Sequence, residues 1–294
     1  MIWAPRQVQV LRLLRAHRYM DVAQVHQVVY QPVSRRAAQR CLTTLHQQGL
    51  VVRARSACGG VGGGSGGYVY GLSAKGAEAL EHIDDAPRAQ IPYVRDPENF
   101  TPQRTRHQLA VNRCFIALWQ SLESAAGHQL VRWNSDPHLR MRYRASGRWQ
   151  VINPDGLAQV RSPAGDHWLF FEIDRGTEEL RRYAQKVRRY AGFWQSGAWR
   201  SEFPVFPELR ITTNRRSRVV SLRQAVEAAL RQLTDGGGSD MNHVLRIALA
   251  WEPAFLANPL GPVWEPAFAN GDHRQPVLRA PGSARPEGGE GSPT

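Results

Sequence analysis

Five residues near the middle of the chain carry side chains that could do chemistry together: Asp155, Glu172, Asp174, Lys186 and Tyr190. Asp155 closes one apolar run, VINPD, and Glu172 and Asp174 close the next, HWLFFEID. The runs are separated by RSPAGD, a Pro/Gly/Asp turn, so they read as neighbouring strands whose terminal carboxylates converge on one spot. The strand period of two puts Glu172 and Asp174 on one face and Ile173 on the other. Lys186 and Tyr190 follow in KVRRY, one helical turn apart. The chemistry on offer is that of grouped carboxylates beside one lysine and one tyrosine. The plainer reading makes Glu172 and Asp174 strand-end acids paired with Arg175 or Arg181, and Lys186 a basic residue on a half-exposed helix.

The surrounding elements must position these residues. A helical pattern over His107–Ser124 has Leu109, Val111, Phe115, Ile116, Leu118, Trp119 and Leu122 apolar. Strand-like runs follow at Gln129–Asn134, Arg140–Tyr143, Trp149–Ile152, Leu157–Val160 and Trp168–Ile173. The helix Glu178–Trp194 comes next, with Leu180, Tyr183, Ala184, Val187, Ala191 and Trp194 as its buried stripe. A strand at Leu209–Thr213, a helix at Val219–Leu233 and a strand at Val244–Trp251 complete the order. Such an order implies an α/β (α+β) sandwich around a mixed sheet.

The first third differs in character. Helices are expected at Arg6–His17, at Val22–Tyr30 behind the cap Asp21, and at Arg35–Gln48 between Ser34 and Gly49. Ala37, Ala38, Cys41, Leu42 and Leu45 share one face of the third helix, while Arg35, Arg36, Gln39, Arg40 and Thr43 share the other. Strands at Leu50–Arg55 and Tyr68–Leu72 flank a Gly-rich loop, Cys58–Gly67, and Ser73–Ile83 closes the unit. Because GGVGGGSGG lacks Gly-Lys-Ser/Thr and a strand-to-helix setting, it reads as a flexible loop tip, not a phosphate loop. Residues 84–103, with four prolines and no period, read as a linker or extended arm. Residues 252–294 read as a largely extended or disordered tail, although WEPAF occurs in it twice, at Trp251–Phe255 and Trp264–Phe268.

Charge narrows the partners. A net charge of +13 favours a polyanion. Of the 38 basic residues only Lys75 and Lys186 are lysines, and the guanidinium fork of the rest suits phosphate oxygens. Three cysteines without a CxxC pair support neither a zinc site nor a disulfide framework. No run is apolar enough to span a bilayer, and the start lacks the order of a signal peptide, so a cytoplasmic protein without membrane contact is expected.

Two resemblances follow from these residues. Three helices and a two-stranded ribbon over about Ile2–Leu80 resemble the winged-helix form of the helix-turn-helix. That resemblance implies a DNA-binding domain, 1–83, with the third helix in the major groove of double-stranded DNA and the ribbon beside the backbone. Arg35, Arg36, Gln39, Arg40 and Thr43, with Arg53 and Arg55 on the ribbon, are then the DNA-binding residues. Winged helices often bind paired half-sites as dimers, so a homodimer is among the expected forms. Residues 104–251 resemble the core of the PD-(D/E)xK nuclease superfamily. In active members the Asp and Glu hold a divalent metal that activates water against a phosphodiester, and a lysine two residues after the Glu steadies the developing charge. Asp155 and Glu172 match, whereas Asp174 stands at the lysine position. Lys186 and Tyr190 resemble the Gln-x-x-x-Tyr signature of RecB-like members, which puts Lys186 in reach of Glu172. If the domain is active, the resemblance makes Asp155, Glu172, Asp174 and Lys186 catalytic, with Mg2+ or Mn2+ held by the three acids; otherwise no cofactor is expected. Glu123 is a further possible ligand, and His107 reads as structural.

The whole arrangement is more specific than either half. A winged helix, a Pro-rich linker, HQLAVN, PDG, FEIDRGTE and KVRRY together resemble the replication-relaxation family of plasmids and other mobile elements. This implies a DNA-binding protein acting in replication, transfer or their regulation, with a degenerate nuclease-like domain and plasmid replication or transfer proteins as partners. The alternatives are a Mg2+-dependent DNA endonuclease targeted by its winged helix, and an adaptor that does not touch DNA.

Overall fold

The computed structural model describes residues 3–55, 67–95, 100–135, 139–235 and 245–268, with Pro276 and Leu278. The Gly-rich loop tip and the end of the tail lie outside the described residues. The first unit runs α1 (Pro5–His17), β1 (Met20–Asp21), α2 (Val22–Val25) with a wider turn at His26–Tyr30, α3 (Arg35–Gln47), β2 (Val51–Arg55), β3 (Tyr68–Leu72) and α4 (Ala74–Asp84). Its strands form an antiparallel sheet in the order β1-β3-β2. Local chemistry sets the ends. The Asp21 carboxylate accepts from the Gln24 amide at 2.8 Å, and Ser73 Oγ accepts from the Gly76 amide at 2.9 Å. Ser34 takes the capping position before α3 without a side-chain capping bond. Gly49, at φ +74°, lets the Leu50 amide return to the Leu45 carbonyl and end α3.

The described residues of the stretch expected as a linker or extended arm pack against the first unit. Ile91 and Val94 are buried, the Val94 amide donates to the Leu72 carbonyl at 2.8 Å, and Phe100 lies against Tyr19. The apolar side chains set among the prolines are what hold this segment to the first unit. Helix α5 (Pro102–Glu123) then starts earlier than its apolar period suggests, with Thr101 as cap and Pro102 in the first turn.

Helix α5 belongs to both units. Phe115 and Ile116 join the core of the first, while Ala110, Val111, Cys114, Leu118 and Leu122 pack on the sheet of the second. Asn112 Nδ2 donates to the Tyr19 carbonyl at 2.6 Å, and Gln24 Nε2 donates to the Leu109 carbonyl at 2.8 Å. Both side chains are buried, so these bonds offset the cost of taking the amides out of water.

The second unit is a six-stranded mixed sheet of β4 (Gln129–Ser135), β7 (Gly156–Ser162), β8 (Gly165–Asp174), β9 (Glu208–Thr213), β10 (Ile247–Trp251) and β11 (Glu265–Pro266), in the order β11-β10-β9-β8-β7-β4. Strands β8, β9 and β10 run parallel, and the remaining pairings are antiparallel. Helices α6 (Leu180–Gln195) and α7 (Arg216–Asp235) provide the two parallel crossovers and cover one face. Helices α5 and α8 (Glu252–Ala257) cover the other. With both faces covered, β8 reads as an almost unbroken apolar run, Phe170 facing α6 and Leu169, Phe171 and Ile173 facing α5.

Two expectations need correction. Strands β5 (Met141–Ala145) and β6 (Arg148–Ile152) do not enter the main sheet but form their own hairpin, because only one of their sides is apolar and it packs on α6. The second unit also continues past Trp251, since α8 and the edge strand β11 complete its core. The WEPAF copies play different parts there. Phe255 of the first and Trp264 of the second are fully buried and meet at 5.3 Å, whereas Trp251 is part-exposed at the end of β10.

Candidate functional site

Asp155 stands in the turn entering β7, where the chain runs beside the end of β8. Its amide donates to the Phe171 carbonyl at 2.9 Å, and its Oδ2 accepts from the Ile173 amide at 2.7 Å. The carboxylate thus continues the β7–β8 ladder by one rung. Gly156 follows because a side chain there would lie 2.8 Å from the Trp133 ring. These two demands account for Asp155-Gly156 without reference to catalysis.

The remaining groups arrive from both covering layers. From α5, His107 Nε2 lies 2.8 Å from Asp155 Oδ1. From α6, Lys186 Nζ donates to Glu172 Oε2 at 2.8 Å, and the Tyr190 hydroxyl donates to Oε1 at 2.7 Å. Lys186 also contacts Glu178 at 3.0 Å. The i, i+4 spacing of Lys186 and Tyr190 lets one helix flank address both oxygens of one carboxylate.

Burial and charge set the protonation states. Burial pulls the His107 pKa down, but the hydrogen bond and charge of Asp155 more than offset it and leave the ring above its ordinary value. Burial pushes Asp155 up, yet His107, Lys186 and the Ile173 amide hold it below the usual carboxylate range. Burial pushes Glu172 up, against the opposing pull of Lys186 and Tyr190. Lys186, although desolvated, is held charged by Glu172 and Asp155. The cluster is therefore two close acid–base contacts, His107–Asp155 and Lys186–Glu172, that feel one another's charge.

Asp174 takes no part in it. Its carboxylate accepts from Arg218 Nε at 2.5 Å, from the Thr213 hydroxyl at 2.8 Å and from the Gly176 amide at 3.0 Å. Strand alternation does put Glu172 and Asp174 on one face, but α6 meets the first and α7 the second. The pairing of these acids with Arg175 or Arg181 is also not found. Arg175 joins Arg113 on the buried Glu252, and Arg181 pairs with Glu179.

A divalent cation needs several carboxylate oxygens turned to one point. Among the described residues, no three His, Cys, Asp or Glu side chains are gathered in that way. Each of the four oxygens of Asp155 and Glu172 already accepts a hydrogen bond. The residues as arranged do not fit Mg2+ or Mn2+. A cavity of about 340 Å3 does open over Asp155 and His107, lined by Arg18, Tyr19, Arg104, Gln108, Val111 and Asn153. Its walls come from the first unit, from α5 and from the turn before β7, and include the two arginines Arg18 and Arg104.

The second candidate surface is on α3. Arg35, Arg36 and Arg40 are exposed and, among the described residues, have no carboxylate partner. The second unit does not cover them. Gln39 and Thr43 are half-buried: Gln39 Nε2 contacts the Tyr70 hydroxyl on β3 at 3.3 Å, and the Thr43 hydroxyl donates within α3 to the Gln39 carbonyl at 2.9 Å. On β2, Arg53 stacks on Tyr68 at 4.2 Å, and Arg55 is exposed.

Sequence reasoning missed Arg218, Glu178 and Glu252 as partners in these networks. Arg218 is one arginine among many, and only the β9–α7 connection carries it to Asp174. His107 was expected to be structural; its partner became visible only when α5 was laid against β7.

A sequence model for the family described as replication-relaxation matches residues 11–209 of the chain. No curated protein and no solved structure matches it.

Proposed function

The chain belongs to the replication-relaxation family, and from that premise we propose that it is a DNA-binding protein acting in replication, transfer or regulation of a plasmid or other mobile element. On this reading the first unit is a winged helix that lays α3 along double-stranded DNA, and the second is a nuclease-like unit that serves as a platform. The observation that carries the reading is the row of exposed, unpaired guanidiniums at Arg35, Arg36 and Arg40 on one helix of a chain with net charge +13. Arg53 and Arg55 extend the same basic surface along β2. Gln39, bonded to Tyr70 of β3, and Thr43, bonded back to Gln39, fix the helix more than they read bases.

The endonuclease reading keeps one supporting feature, the cavity over Asp155 with Arg18 and Arg104 at its walls. Against it stand the hydrogen bonds that occupy Asp155 and Glu172 and the commitment of Asp174 to Arg218. The test is a salt titration of duplex binding followed by fluorescence anisotropy. Replacing Arg35, Arg36 and Arg40 by alanine is expected to weaken binding and reduce the slope of log affinity against log salt by about 3 if each arginine neutralises one phosphate. An unchanged slope removes α3 as the DNA surface.

A further inference from the structure

The hairpin β5–β6 alternates between a buried and an exposed side. Met141, Tyr143 and Ile152 are buried against α6, where the Tyr143 hydroxyl donates to the Arg189 carbonyl at 2.9 Å. Arg142 and Arg144 point the other way and are exposed. Trp149 lies opposite Arg144 in the strand register, so it shares that outer side. It is 58% exposed, more than any other large hydrophobic side chain among the described residues. The guanidiniums of Arg142 and Arg144 lie 5.0 and 5.4 Å from its ring. Arg140 and Arg148, at the two ends of the hairpin, are exposed as well. Among the described residues none of these four arginines has a carboxylate partner.

An indole left in water forgoes a large burial term, and the two guanidiniums beside it, Arg142 and Arg144, repel one another. One kind of ligand relieves both. A single-stranded nucleic acid offers phosphates to the guanidinium forks and an unpaired base to the indole, each stack contributing about 1–3 kcal/mol. A duplex supplies the phosphates but keeps its base faces covered. An acidic protein surface supplies the charge but nothing flat to lie on the ring. We propose that the outer side of this hairpin is a single-stranded DNA site, with a base stacked on Trp149 and the flanking phosphates held by Arg142 and Arg144. This extends the DNA-binding reading but rests on other residues than α3, so either can fail alone.

The test uses the full chain with fluorescent oligo(dT) of about 20 nucleotides and a blunt duplex of similar length. Trp149→Ala is expected to weaken oligo(dT) binding about tenfold while duplex affinity stays within about twofold, and Trp149→Phe, which keeps a stacking ring, to retain most of the affinity. Arg142→Ala with Arg144→Ala lowers the salt dependence on oligo(dT), whereas the Arg35, Arg36 and Arg40 variant weakens duplex binding and leaves oligo(dT) binding in place. Because Trp149 is largely exposed, melting temperatures close to wild type are expected and show that the variants are folded. The proposal is overturned if the wild-type chain does not bind oligo(dT), if Trp149→Ala binds it as wild type does, or if that variant loses single strand and duplex alike.

Discussion

Lys186 Nζ lies 2.8 Å from Glu172 Oε2, so the lysine beside this acid comes from the helix after the strand and not from the strand itself. At the strand position two residues beyond Glu172 stands Asp174, which has its own cation in Arg218. The acids at the end of β8 thus belong to two separate networks, one under α6 and one under α7.

Lys186→Met removes the charge that compensates the buried Glu172. Breaking a buried pair from one side costs about 3–5 kcal/mol, and the loss should appear as a lower urea midpoint. Adding Glu172→Gln should restore much of it, because a neutral amide no longer needs the cation. A Lys186→Met change below about 0.5 kcal/mol would show that the pair is not what holds α6 to β8.

The His107–Asp155 pair predicts a pH window. A His whose folded pKa is raised contributes stability in full below its unfolded value and loses it as pH rises through the folded one. An Asp whose folded pKa is lowered contributes in full above its unfolded value and loses it as pH falls through the folded one. With ordinary values of 6.5 and 3.8 for the two groups, the pair contributes most between those limits. The difference in stability between wild type and His107→Gln should be largest near the middle of that window and shrink as pH rises through the raised His107 value. A difference that does not vary with pH would contradict the assignment.

A lysine at position 174, where the nuclease resemblance expects one, would stand away from Glu172 and beside Arg218. Asp174→Lys would set an ammonium against Arg218 and Thr213 in a buried site, so it should lower the melting temperature strongly and confer no DNA cleavage. A stable variant that cuts DNA in the presence of Mg2+ would show that position 174 can reach the Asp155–Glu172 site.

Because α5 contributes to both cores, the two units should unfold together. Asn112→Ala leaves the buried Tyr19 carbonyl without its donor and should cost about 1–3 kcal/mol, with one cooperative transition in both proteins. Two separate transitions in the wild type would contradict a shared helix.

Much of this was legible in the sequence, and the reasons for the rest are physical. Apolar period placed most helices and strands to within about five residues, though not β1, α8 or β11, and strand alternation put Glu172 and Asp174 on one face. Helical spacing put Lys186 and Tyr190 on one flank, from which both reach Glu172. What spacing does not encode is which helix covers which half of a strand, and so Arg218 remained hidden. The stretch around Ile91, Val94 and Phe100 read as linker because prolines mask a period, although these apolar side chains are what dock it. The repeated WEPAF suggested equivalent roles, whereas position in the sheet makes Trp264 core and leaves Trp251 part-exposed.

The most direct test of the central claim is a single gel. Supercoiled plasmid and linear duplex are incubated with the pure chain, with and without Mg2+ or Mn2+, beside Asp155→Ala and the Arg35, Arg36 and Arg40 variant. The account predicts retarded but uncut DNA with and without metal, binding kept in Asp155→Ala, and retardation weakened in the arginine variant. Metal-dependent nicking by the wild type that disappears in Asp155→Ala would contradict it, and would make the buried acids a catalytic site that rearranges to take a metal.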